Sequence, residues 1–162
     1  MIFYFFPLIL FGFGRPASAK AIAAMDETIR PDGRGLPAGS GRASAGRTIY
    51  LQKCAACHGK TGVEGPFMRL VGPMGDTTKA KTIGNYWPYA TTLFDYTRRA
   101  MPYNAPGSLT NEEVYHLTAY LLAANKIIDT AMVVNANNLA GIEMPAKKLF
   151  IPDDRKGGPE VR

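Results

Sequence analysis

The chain has 162 residues, with 19 Lys plus Arg against 13 Asp plus Glu and a formal net charge of +6. That length accommodates one domain, and the moderate positive balance favours partners with acidic groups near the docking site. No Arg/Lys stripe interleaved with aromatics runs along the chain, which sets nucleic-acid binding aside. The only two cysteines, Cys54 and Cys57, cannot supply the second Cys pair of a structural zinc site.

The first stretch, Met1 to Gly14, is almost wholly apolar but is interrupted by Pro7 and by glycines, too short and broken for a membrane span. Ala17-Ser18-Ala19 has the small-x-small form of a cleavage site, so residues 1–19 read as a signal peptide, although a positive n-region is missing. The expected location is the periplasm; a membrane anchor results only if the segment stays uncleaved. Residues 20–43 start with the apolar run Ala21 to Met25 and turn Pro/Gly/Ser-rich from Arg30 to Arg42. Such composition loses much backbone entropy for little burial, so it reads as a flexible arm, mobile or laid on a partner, or as a plain leader to the domain.

The domain is expected over 44–125. Ser44 is a candidate cap for a helix running through Gly46, Ile49, Tyr50 and Lys53. Gly46 and Tyr50 lie four apart on one face, where the glycine admits a close helix and the ring packs beside it. This helix leads into Cys54-Ala-Ala-Cys57-His58, the attachment signature of a c-type haem. Two thiols three residues apart can each add to one vinyl group of the porphyrin, and the adjacent imidazole reaches the iron from one side. The competing readings are a redox dithiol, which favours a helix start after a strand rather than a helical approach, and zinc, for which the other histidine, His116, is remote in sequence.

From Gly59 to Met74 the density of Gly and Pro predicts a loop, with Phe67 and Leu70 turned inward. Pro66 or Pro73 is positioned to offer a backbone carbonyl to the His58 ring, and Pro66 is favoured as the nearer. Residues 76–86 read as polar connection. A helix follows over 87–100, with Pro88 in its first turn and Tyr89, Leu93, Tyr96 and Ala100 as its apolar stripe. It delivers the chain to Met101-Pro102. Thr110 and Glu113 form a capping box for a helix through Val114, Leu117, Leu121 and Ala124, the natural partner of the Gly46/Tyr50 face. Residues 126–162 lack a sustained period and are expected as an irregular tail packed on the domain, with the final residues from Arg155 loose.

If His58 holds one side of the iron, the other side needs a ligand. The candidates are Met68, Met74, Met101, Met132, Met144, His116 and, behind these, the lysines. Met101 is preferred because it stands at a helix exit before Pro102 and a Pro/Gly loop. Met144 also precedes a proline and is its competitor, while Met68 and Met74 lie too near His58 to cross the ring. His116, beside Glu112 and Glu113, reads as a solvated histidine. Lys53, Arg98 and Arg99 read as solvated face or as propionate partners, and Trp87 and Tyr89 as core or as propionate donors.

Over 44–125, the helix with Gly46 and Tyr50, Cys54-Ala-Ala-Cys57-His58, and Met101-Pro102 before a last helix resemble a class I cytochrome c. The resemblance implies an all-α fold around one covalent haem, iron ligation by His58 and Met101, and first and last helices that cross. In that family haem is attached outside the bacterial cytoplasmic membrane. Residues 81–109 and Ile142-Glu-Met-Pro145 are more closely similar to the cytochrome subunits of bacterial sulfur oxidation, of the SoxD-like or sulfite-dehydrogenase type. SoxD-type proteins are longer and can carry two haems, so one site here implies a small companion cytochrome. The implied function is a periplasmic one-electron carrier, itself not an enzyme, with a sulfite-type or other sulfur-compound dehydrogenase as donor and a cytochrome or oxidase as acceptor. The alternatives are a general monohaem cytochrome serving a non-sulfur dehydrogenase and a haem peroxidase with an open axial position.

Overall fold

The structure, a computed structural model, describes residues 14–76 and 80–154. Most of the expected signal segment, and the tail end from Arg155, lie outside these residues. Helix α1, Ala19–Met25, is held at its start by the Ser18 hydroxyl, which accepts from the Ala21 N–H, and it buries no residue. Among the described residues no helix is long and apolar enough to cross a membrane.

The expected arm over 20–43 is laid, from Ile29 onward, against its own domain. Ile29 is buried in the core, and the Tyr115 hydroxyl donates to the Pro37 carbonyl at 2.8 Å. Strand β1, Ser40–Arg42, pairs antiparallel with β2, Val133–Asn135, with Gly41 opposite Val134. Gly41 rests on the Tyr115–His116 backbone, and a Cβ there would overlap it. Gly/Ser-rich composition read as looseness therefore provides close approach instead.

Strand β1 runs straight into α2, Ala43–Lys53, whose cap position is Arg42 with no side-chain cap bond. Ser44 falls inside the first turn, so the cap expected from it is not made. The Arg42 N–H donates instead to Nδ1 of His116 at 2.8 Å, and His116 is half-buried rather than solvated.

Helix α3, Ala55–His58, is a single turn, and α4, Ile83–Tyr86, is another, capped reciprocally by Thr82 and Asn85. Asn and Thr in a polar stretch are as suited to capping as to connection, which is why 76–86 did not announce this turn. Helix α5 spans Ala90–Ala100 and α6 spans Asn111–Ala124. Pro88 precedes α5 rather than entering its first turn. Leu93 is buried as expected, but the inner face is completed by Ala90, Phe94 and Thr97, while Tyr96 is 47% exposed. Asp95 goes inward because the Arg99 guanidinium pairs with its carboxylate, and Tyr96 meets Trp87 edge-on at 5.7 Å.

The expected capping box on α6 is formed, with Thr110 and Glu113 each closing on the other's backbone. Helix α6 is the axis of the core. It crosses α2 with the Tyr50 and Tyr120 rings 5.0 Å apart and packs on α5 through Phe94 and Tyr115 at 4.4 Å. The tail wraps this core through β2 and two 3₁₀ turns, Leu139–Gly141 and Pro145–Leu149, burying Val134, Leu139, Met144 and Ala146. The result is a small, mostly helical domain, with one two-stranded ribbon among the described residues added to the expected all-α plan.

Candidate haem-attachment site

Helix α2 ends at Cys54, and the α3 turn carries Cys57 and His58. Backbone N–H groups of Cys57 and His58 both donate to the Cys54 carbonyl, at 3.1 and 3.0 Å, so thiols and imidazole share one tight turn. Both thiols are free, Cys54 half-buried and Cys57 exposed. Burial, with a smaller effect of the neighbouring Cys57, pushes the Cys54 thiol up to about 11. Gly59 ends the turn at φ 80°, and a Cβ there would strike the Glu64 side chain and the Gly65 backbone.

The chain then folds back beneath the histidine. The Phe67 N–H donates to the Cys57 carbonyl at 3.2 Å, and the N–H groups of Leu70 and Val71 donate to the Gly62 carbonyl at 2.8 and 3.2 Å. These rungs bring the Met68 carbonyl to 2.9 Å from Nδ1 of His58. A carbonyl only accepts, so Nδ1 carries the proton and Nε2 keeps its lone pair for a metal. The orienting carbonyl is thus that of Met68, not of Pro66 or Pro73. Two prolines bracket the loop, but the rungs from Cys57 and Gly62 decide which carbonyl faces the ring. Phe67, expected inward, is 62% exposed, while Leu70 packs on the core.

Met101 caps the end of α5, its N–H donating to the Thr97 carbonyl at 3.3 Å, and its side chain is half-buried. Met144 is 3% exposed and belongs to the packed core. A thioether that ligates a prosthetic group must face volume that protein atoms leave open. Met144, packed in the core, does not meet that condition, and Met101 stays half-buried. Two free thiols at Cys-x-x-Cys spacing beside an imidazole held through Nδ1 are what covalent attachment of an iron porphyrin requires on this side, and these residues fit it.

The model of the family described as cytochrome c oxidase, cbb3-type, subunit III matches residues 41–121, from β1 into α6 and across Cys54, Cys57, His58 and Met101. This chain belongs to that cytochrome family. Among solved structures, the cytochrome is similar to a chain of the crystal structure of the sulfane dehydrogenase SoxCD from Paracoccus pantotrophus. The identity is 38% and the TM-score 0.76, over 89% of this chain and 73% of that chain. No curated protein sequence matches.

Three of the cytochrome's cations singled out from the sequence have protein partners. Lys53 Nζ lies 2.5 Å from the Glu113 carboxylate, Arg99 pairs with Asp95, and Arg98 Nε donates to Asn111 Oδ1 at 3.2 Å. Lys53 and Arg99 stay on the solvated face as expected, each held by a carboxylate, while Arg98 is half-buried. Tyr89 lies beneath the Lys147 ammonium, 5.3 Å from its ring centroid.

One residue of the site escaped sequence reasoning. Asn125, 2% exposed, follows α6 and ties down the far end of the loop that follows His58. Its Oδ1 accepts from the Gly72 N–H at 3.0 Å, and its Nδ2 donates to the carbonyls of Leu70 and Leu121 at 3.2 and 2.8 Å. Thr82 completes the knot by donating to the Gly72 carbonyl at 2.7 Å. An Asn at a helix end announces a cap, but partners 53 and 55 positions away leave no mark in local pattern.

Proposed function

We propose that the chain is a periplasmic one-electron carrier holding one haem c, with a sulfur-compound dehydrogenase as its electron donor. The observation that carries this reading is the hydrogen bond from His58 to the Met68 carbonyl inside the Cys54-x-x-Cys57-His58 turn. It leaves Nε2 as the free donor atom beside two unpaired thiols.

In this reading the thiols of Cys54 and Cys57 would hold the group covalently through its two vinyl positions. His58 would hold the iron through Nε2, and Met101 is the residue that would hold it through sulfur. The bound group supplies a ferric/ferrous couple. The Met68 carbonyl keeps the imidazole in one tautomer and one orientation. With His58 and Met101 both holding the iron, the group would supply electron transfer rather than chemistry on a bound substrate, and a soft thioether would favour the reduced state. Similarity to a chain of a sulfane dehydrogenase structure supports a donor that oxidises sulfur compounds, with a downstream cytochrome or oxidase as acceptor.

Two measurements test the proposal. The purified protein gives an alkaline pyridine haemochrome of the c type and a low-spin ferric spectrum with a thioether signature that is lost in Met101→Ala and kept in Met144→Leu. A resting high-spin spectrum would instead support the peroxidase alternative. Addition of sulfite or thiosulfate reduces the haem only when catalytic periplasmic extract is present. Reduction by neither, with reduction by an unrelated substrate, would replace the sulfur-oxidising donor by another dehydrogenase.

A further inference from the structure

Tyr50 is 1% exposed, and its ring packs against Tyr120 at the α2–α6 crossing, where a phenylalanine would fill the same space. Packing alone gives no use for the hydroxyl, and a buried hydroxyl is costly unless it finds a partner. It donates to the carbonyl of Gly59 at 2.9 Å, the residue that follows His58. On its other side stands Gly62, at φ 87°, where a Cβ would come within 3.5 Å of the same hydroxyl oxygen. The hydroxyl therefore sits at the neck of the loop, between Gly59, which leaves the histidine, and Gly62, whose carbonyl receives the rungs from Leu70 and Val71. Those rungs set where the Met68 carbonyl meets the His58 ring.

We propose that Tyr50 is a positioning residue for His58, its hydroxyl fastening the neck of the 59–71 loop so that the Met68 carbonyl stays on Nδ1. The inference rests on the haem reading above. A firm hydrogen bond from Nδ1 increases the basicity of the ring and so favours the oxidised iron. Loosening the neck weakens that bond and favours the reduced iron. The α2–α6 crossing is thereby coupled to the axial ligand through one phenolic hydroxyl.

The experiment compares haem-loaded Tyr50→Phe, Tyr120→Phe and the wild-type protein by redox titration and by exchange of the His58 Nδ1 proton into D₂O. Tyr50→Phe is expected to raise the reduction potential and speed that exchange about tenfold, while Tyr120→Phe, which alters the other ring of the same pair, moves neither. Unchanged potential and exchange in Tyr50→Phe, or equal changes in both variants, would overturn the proposal. Replacement of Tyr50 by 3-fluorotyrosine, a stronger donor of nearly the same shape, is expected to lower the potential. Where Tyr50→Phe does not load haem, the fluorotyrosine protein alone decides, and a potential equal to wild type overturns the assignment. A wild-type protein without a haemochrome removes the haem reading itself, a result separate from either outcome for Tyr50.

Discussion

The carbonyl oxygen of His116 occupies the space that a Cβ on Gly46 would need. Helices α2 and α6 touch there through backbone, and the Tyr50–Tyr120 pair packs immediately beside the contact. Gly46→Ala is therefore expected to destabilise the holo-protein by about 3 kcal/mol, since the added methyl must push the helices apart against close packing. Gly141→Ala, whose added methyl would have nothing within 4 Å of it, is the matched control, expected within about 0.5 kcal/mol of wild type. Urea midpoints of the two variants make the comparison, and equal midpoints would show that the crossing has room to spare.

Met68 serves the site through its backbone, while its side chain is 73% exposed. Met68→Leu should leave the ferric spectrum and the reduction potential at wild-type values. A lost thioether signature in that variant, with Met101→Ala unaffected, would reverse the assignment of the two methionines.

Asn125→Ala removes three buried or half-buried hydrogen bonds and leaves the Gly72 N–H and the Leu70 carbonyl without their side-chain partner. Unsatisfied buried groups cost more than the bonds themselves contribute, so a loss of about 3 kcal/mol is expected. Faster hydrogen exchange at Gly72, with α5 amides unchanged, would localise the effect to the loop that follows His58. A loss under ~1 kcal/mol would mean that water replaces the amide.

Glu113 joins the cap of α6 to Lys53 at the end of α2. The Lys53 hydrogen bond first, then the Thr110 N–H, hold its carboxyl below the usual 4.5. A folded-state value below the unfolded one means that the unfolded chain binds the extra proton, so this stabilisation is present above pH 4.5 and fades as the pH falls through the folded value. Lys53→Ala should cost about 0.5 kcal/mol at neutral pH, since the pair is partly solvated. Glu113→Ala, which also removes half of the capping box, should cost about 1 kcal/mol. Denaturation midpoints taken from about pH 7 down to about pH 3 should converge for Lys53→Ala and wild type, and a constant gap would assign the Lys53 effect to packing of its stem.

What the sequence alone determined is what depends on short spacing. Cys54, Cys57 and His58 carry their chemistry within five residues, Thr110 and Glu113 cap a helix through an i, i+3 relation, and Gly46 with Tyr50 marks one face of α2. Each is a property of one turn of helix, and each can be read without knowing what lies opposite. The tertiary structure alone decided the contacts between segments distant in sequence. These include the Met68 carbonyl on His58, the Asn125 knot, the β1–β2 ribbon that brings Gly41 onto α6, and the burial that separates Met144 from Met101. Backbone carbonyls and N–H groups are the same in every residue, so side-chain identity says little about which will meet. Likewise Met144 and Met101 both precede proline, and only the packing of the tail on the core buries Met144 while Met101 stays half-buried.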